Sequence, residues 1–338
     1  MEKKIDISTG IIFRAILIVL GIWIIFLIRD IVALFFVSLI LTAVIDPGVD
    51  WLHKRKIPRG VGVMIIYSIL FLIIGTAIYF FIPAIISQFN DFYQNLPRYI
   101  ENLSNLSSGI KNFTQAHNIT LGVQDILNLG SNSTSLSEKL FSTTVGVFSG
   151  FVSVIIILSL AFYLSVKEDG MKRFLNSVTP EKHQEYVVSL AERIKIKIGK
   201  WMLGQLLLML IIFIFDFLAL YFLKVPYALA IAIISGLLEI VPYIGPIIST
   251  TLATMVGFLI SPVVGLLTLA VFTAIQQIEG HVVVPQVMKK AVGLNPVVVI
   301  LALLIGAKLA GVLGAVLAVP IAAAASVFVK DLMDKNKD

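Results

Sequence analysis

Apolar runs of roughly twenty residues recur along this chain, and that is the length a helix needs to cross the hydrocarbon of a bilayer. The run IIFRAILIVLGIWIIFLI, residues 11–28, carries one charged residue, Arg14. A chain partitioned this way has few folds open to it, because a peptide group inside lipid can be satisfied only by helical or closed-barrel hydrogen bonding. The runs are too long for barrel strands, so the expected class is an all-α polytopic membrane protein. Composition agrees: 58% of residues are hydrophobic and 14% charged, against about half and about a quarter in an ordinary soluble domain.

The same partition excludes several functions. With no cysteine, thiolate chemistry is ruled out. The net charge of +6 gives no argument for nucleic acid, because the basic residues cluster beside the apolar runs, where they orient spans. HExxH, GxxxxGK[ST] and GxSxG are all missing from the sequence, so zinc proteolysis, ATP hydrolysis by this chain and a nucleophile elbow have no residues to carry them. The chain reads as no enzyme, with no cofactor and no metal centre.

The first two spans are expected at 11–28 and 31–45, with an exposed turn at Arg29-Asp30. The basic stretch DPGVDWLHKRKIPRG then reads as a cytoplasmic loop, and a third span covers 61–82. Residues 83–143 are polar, with Phe89, Phe92, Leu96, Tyr99, Leu103 and Leu106 at helical spacing. They predict an extracytoplasmic helical subdomain interrupted at Pro97. A fourth span, 144–166, leads to the basic segment 167–200, an amphipathic helix on the cytoplasmic side, and a fifth span covers 201–223.

Beyond this point the pattern breaks. Residues 226–241 and 246–260 are apolar pieces of about fifteen residues, short for full spans, joined by PYIGP. A span follows Pro262 and runs to Val284, and then two more short pieces, 296–309 and 313–329, flank Gly311 and Gly314. A span followed by a broken helical hairpin thus occurs twice, with the hairpins in inverted orientation, making about eight membrane segments in all. Pro226 and Gly236 in the first hairpin match Pro296 and Gly306 in the second at the same spacing. Paired interrupted segments of opposite orientation mark the binding site of many secondary transporters. Four short tilted spans are the plainer alternative.

An ionisable group at membrane depth costs about 2.5–3.5 kcal/mol on insertion scales, so each one invites a functional hypothesis. Asp216 lies alone in LLLMLIIFIFDFLALYFL and suits proton or cation exchange, or else bonds a hydroxyl or amide of a neighbouring helix. Glu239 stands one helical turn before the break shaped by Pro242, Tyr243, Gly245 and Pro246. It could accept a cation or polar solute, or bond the freed amides of the break. Gln276 and Glu279 share a helix face and could line the same cavity, with snorkelling to the interface as the other reading. Lys308, near the second break, could hold an anionic group, pair with Asp216 or Glu239, or reach the interface. His281 reads as a polar helix-end residue.

Three stretches, GLLEIVPYIGP (236–246), QQIEGHVVVPQVMKKAVGLNP (276–296) and GAKLAGVLGAVLAVP (306–320), resemble the autoinducer-2 exporter (AI-2E) family of transporters and permeases. With the order of spans, the likeness covers nearly the whole chain. Asn295 departs from the pattern, which has a histidine before the second hairpin's proline. The resemblance implies a homo-oligomeric secondary transporter, a pentamer among its possible forms, that exports a small polar solute such as autoinducer-2 or exchanges monovalent cations for protons. It also implies a prokaryotic inner-membrane location, and the basic loops put both termini in the cytoplasm.

The expected organisation is a three-span scaffold (1–82), the extracytoplasmic subdomain (83–143), a fourth span with its amphipathic segment (144–200), a transport module (201–330) and a short tail (331–338). The expected mechanism is alternating access. A membrane scaffold that transports nothing and presents residues 83–143 to a partner is the reading from a different class.

Overall fold

The computed structural model describes residues 20–21, 23, 27–115, 136–288 and 293–335. Most of the expected first span lies outside these residues, as does the stretch 116–135 of the expected extracytoplasmic subdomain. Every regular element among the described residues is helical. In chain order they are α1 (Arg29–Lys54), α2 (Arg59–Gln115), α3 (Leu136–Val166), α4 (Glu168–Val178), a 3-10 turn (Glu181–His183), α5 (Gln184–Phe222), α6 (Ala228–Leu238), α7 (Ile244–Ile260), α8 (Pro262–Ile278), a π turn (Glu279–Val283), α9 (Val284–Met288) and α10 (Pro296–Lys335). Five stretches are long and apolar enough to cross a membrane, and three shorter apolar helices accompany them. The chain is a multi-pass membrane protein.

Several boundaries differ from those expected. The loop expected after residue 45 is mostly helix: α1 continues through Pro47 to Lys54, and Asp50 in its last turns pairs with Arg59 at 3.1 Å. Helix α2 runs unbroken past Pro97 for 57 residues, where an interruption was expected. A proline removes one hydrogen bond and crowds the preceding turn, and here the helix continues regardless. The amphipathic segment and the fifth span are likewise one helix, α5, of 39 residues.

The described chain divides into two compact units, one from the ranges Val44–Val152 and Lys197–Gly293, the other from the described parts of Met1–Ala43, Ser153–Ile196 and Leu294–Asp338. In the first, α6 and α7 form a hairpin. Tyr243 takes φ +66°, and Gly245 packs so closely on the Leu238 carbonyl that a Cβ there would collide with backbone. The amides of the turn bond local carbonyls: Val241 N–H donates to Leu238 at 3.1 Å and Gly245 N–H to Val241 at 3.0 Å. Pro242 fits because it has no N–H to satisfy. Gly236 meets the Met209 carbonyl and Phe213 of α5, and Gly257 meets Gly265 and Thr268 of α8. Such small-residue contacts let membrane helices approach closely. Leu220, Val225, Ile231, Ala253, Val256 and Phe272 pack into one apolar cluster joining α5 to α8. Gln88 of α2 accepts the Ala230 N–H at 3.1 Å, supplying a cap that the α6 N-terminus otherwise lacks.

In the other unit, α10 is broken at Ala310 and Gly311, the latter at φ +60°. Gly306 and Gly314 lie on either side of that break. They would be about 12 Å apart on a straight helix, yet a Cβ on either would strike the carbonyl of the other. The chain therefore doubles back, and this pair of glycines is its seam. Arg29, expected only as an exposed turn, donates to the Leu309 carbonyl beside the break at 3.1 Å. Asn295 starts the hairpin by accepting the Val297 N–H on its side-chain oxygen at 2.9 Å, with Pro296 at the first helical position, where a proline costs nothing.

The Pro/Gly match between the hairpins does not carry a matched role. Gly236 packs on a neighbouring helix, whereas Gly306 packs on its own hairpin partner. The structural counterpart of Gly306 and Gly314 in the first hairpin is Gly245 against Leu238. Replacing Gly314 by Ala is expected to lower stability by about 1–3 kcal/mol, the usual cost of overpacking. Gly75→Ala, where a Cβ meets nothing, is expected to be neutral or slightly stabilising. Thermal midpoints in detergent compare the two.

Candidate functional site

The buried face of α5 repeats at three- and four-residue spacing through Gln205, Leu208, Ile212, Asp216 and Leu220. That periodicity carries two polar residues inward with the apolar ones. Asp216 is 0% exposed and Gln205 1%. From the first hairpin, Ser235 (1%) and Glu239 (3%) turn toward the same interior, one helical turn apart. Glu279 (6%) enters from the other side at the start of the π turn. A π turn adds a residue to the helical circuit and re-aims the side chains that follow it, and such turns recur at functional sites.

These residues form one cluster within a single compact unit. Glu239 and Glu279 face each other closely enough to interact directly, and both feel the charge of Asp216 or impose their own on it. Ser235 is the hydroxyl that faces Asp216, but neither Asp216 oxygen nor the Ser235 Oγ closes a hydrogen bond. One oxygen each of Glu239 and Glu279 is also buried without a partner. Among the described residues no lysine, arginine or histidine is buried, so this cluster has no fully buried counter-charge. The three carboxylates do not converge on one point as ligands of a single bound metal would.

The alternative roles for these acids can be weighed against the geometry. Glu239 was open to a purely local role, bonding the freed amides of the break. Those amides are taken by carbonyls of the turn itself, which leaves the carboxylate available. The backbone carbonyl of Glu239 accepts a hydrogen bond of 2.5 Å from Gln205 Nε2, so α5 holds the tip of the hairpin through the acidic residue itself. Gln276 is partly buried, and its Nε2 has no acceptor. An apolar recess of about 280 Å³ lies between Ile211 and Phe215 of α5 and Val282, Val283 and Gln286, and none of the cluster's polar residues lines it.

The other singled-out residues lie elsewhere. Lys308 belongs to the other unit and is exposed, as are Tyr243 at the first break and His281, whose ring nitrogen lies 2.9 Å from the Gln277 carbonyl. Pro242, Gly245 and Pro246 shape the first break, and Gly311 and Gly314 the second. Ser235, Gln205 and the π turn were not read from the sequence. Ser235 could have been found, since it lies one turn before Glu239. Gln205 is the lone amide in an apolar run eleven residues before Asp216. A π turn leaves no residue pattern of its own.

Comparison with known proteins bears on what the cluster serves. The signature of the family described as "AI-2E family transporter" matches residues 12–334. The chain is 28% identical over 298 residues to the Bacillus subtilis protein named "Putative transport protein YrrI", covering 84% of this chain and 81% of that one. It is 27% identical over 304 residues to a second B. subtilis protein, YueF, covering 86% and 80%. A Halobacillus andaensis protein named "Sodium-lithium/proton antiporter" is 22% identical over 297 residues, 83% of this chain and 84% of its own. A multi-pass helical chain whose match to one transporter family spans almost its entire length is a member of it: this protein belongs to the AI-2E transporter family.

Proposed function

We propose that this chain exchanges monovalent cations for protons across a prokaryotic inner membrane, using Asp216, Glu239 and Glu279 as the shared binding site. The observation that carries this reading is a group of three buried carboxylates with no buried basic side chain among the described residues. An uncompensated charge costs several kcal/mol in a low-dielectric interior even after relaxation, so something mobile has to neutralise these acids. Protons and small cations both can, and a site that accepts either in turn is an exchanger. The scattered placement of the carboxylates suits a weakly held monovalent ion, completed by carbonyl and hydroxyl oxygens, better than a tightly ligated divalent one. One relative carries the name of such an antiporter.

In this reading each unit carries one broken hairpin, the two enter from opposite faces, and movement of the first hairpin's tip exposes the cluster alternately to each side. The acids sit where α5, the first hairpin and the π turn meet, so displacing the hairpin tip alters all three environments together. Gln205 keeps Glu239 in register with the others during that movement. Both termini would be cytoplasmic, and the subunits would assemble as a homo-oligomer through the N-terminal spans.

Export of a small polar solute is the second reading, and the unpartnered Gln276 Nε2 favours it. A cation cannot use an amide N–H, whereas a solute oxygen can.

Proteoliposomes holding a preset pH gradient test the first reading. Addition of Na⁺ or Li⁺ is expected to drive proton movement. Asp216→Asn, Glu239→Gln and Glu279→Gln are each expected to reduce it at least about tenfold, the factor that 1.4 kcal/mol represents. No cation response from intact wild-type protein would turn the proposal to solute export, read as autoinducer-2 uptake into inverted vesicles. Asp216→Asn is also expected to raise the thermal midpoint in cation-free buffer, because it removes an uncompensated buried charge. A structural aspartate would lose stability instead. Gln205→Leu is expected to weaken exchange by raising the half-saturating cation concentration, because it releases the Glu239 carbonyl while keeping similar bulk.

A further inference from the structure

Within the cluster, Asp216 and Ser235 differ from the two glutamates in one respect. Glu239 and Glu279 face each other as two carboxylates, a pair that one proton can bridge. Asp216 faces a hydroxyl instead. All three of these side-chain oxygens, two on Asp216 and one on Ser235, are buried without a hydrogen-bond partner, and the two residues are 0% and 1% exposed.

The Ser235 hydroxyl is near enough to act on the Asp216 carboxylate, yet none of the three oxygens reaches hydrogen-bond geometry with a partner, and a buried polar group left so is costly. A cation bound among the three oxygens would satisfy them together. The two oxygens of the Asp216 carboxylate and the Ser235 hydroxyl oxygen, buried and unpartnered, are the kind of ligand a hard cation coordinates.

The backbone around Ser235 supports this placement. Ser235 sits in α6 with its own carbonyl accepting the Glu239 N–H at 3.1 Å. Gly236 beside it lets α6 press directly against Met209 and Phe213 of α5, where a Cβ would collide at 2.9 Å. That close approach brings the hydroxyl to Asp216, one turn of α5 beyond Phe213. Any larger residue at 236 would push the two oxygen sets apart.

We infer that the Asp216 carboxylate and the Ser235 hydroxyl together form the coordination site for the transported monovalent cation, with Ser235 a direct oxygen ligand. This rests on the exchange reading above and assigns its cation half to particular atoms. Ser235 thereby becomes a determinant of cation affinity.

The test is cation-triggered proton flux in proteoliposomes, titrated with NaCl and with LiCl, for wild type, Ser235→Ala and Ser235→Cys. Alanine removes the oxygen at the loss of a single heavy atom. Cysteine keeps the volume but offers a soft sulfur that hard cations coordinate poorly. Both variants are expected to raise the half-saturating cation concentration about tenfold, the loss of one contact of ordinary strength, while the maximal rate at saturating salt stays near that of wild type. If wild type responds and either variant keeps the wild-type half-saturation, the inference is overturned and the exchange reading stands. If Ser235→Cys behaves as wild type while Ser235→Ala is impaired, Ser235 fills space and is no ligand. If wild type itself gives no cation response, the exchange reading fails and this inference falls with it, an outcome that the wild-type trace alone identifies.

Discussion

A hydrocarbon interior offers neither a peptide group nor a carboxylate any water, and most of what is unusual in this chain follows from that constraint. Every helix break has to find partners for its freed backbone, and every buried acid has to find a counter-charge. The two breaks meet the first demand in different ways. At Tyr243 the turn closes on itself, with Val241 N–H bonding the Leu238 carbonyl at the end of α6, Gly245 N–H bonding the Val241 carbonyl within the turn, and Pro242 removing one donor altogether. At Gly311 the freed Leu309 carbonyl takes the Arg29 guanidinium, supplied from a helix 280 residues away in sequence.

Because the first break satisfies its own amides, it leaves Glu239 uncommitted, and this separation of tasks is what makes a site there reasonable. The tight turn does the structural work through backbone and glycine, and the side chain is left facing Glu279 and Asp216. Gln205 joins the two tasks by gripping the carbonyl of the residue whose carboxylate is on offer. The π turn at Glu279 to Val283 acts similarly from the opposite side. It begins at Glu279, whose carboxylate is carried inward at the end of α8, and re-aims the side chains that follow. The membership in a transporter family and the chemistry of the cluster thus point the same way, from independent observations.

Close packing of small residues is the second recurring device. In lipid there is no hydrophobic drive between helices, so association depends on contact and on polar pairing. Gly236 on α5, Gly257 on Gly265, Gly245 on Leu238 and Gly306 on Gly314 each bring backbones within a distance no side chain permits. At Gly236 that approach also aligns Ser235 with Asp216, so packing and chemistry coincide at one position.

The apolar runs, the two interruptions and the isolated acids were legible in the sequence by itself, because length, hydropathy and misplaced charge are local properties that lipid makes unambiguous. Family membership was legible too, since the three quoted stretches carry it. The helix ends were not: α1 passes through Pro47 and α2 through Pro97, because tertiary and membrane context can outweigh a local breaking signal. Nor was the meeting of Asp216, Glu239 and Glu279, which lie on three elements up to 63 residues apart. Convergence depends on how α5, the hairpin and α8 cross, and crossing is set by contacts between distant glycines and side chains. The π turn and the hydroxyl of Ser235 belong to the same class. Each becomes meaningful only through what stands opposite it, and that was decided by the tertiary structure alone.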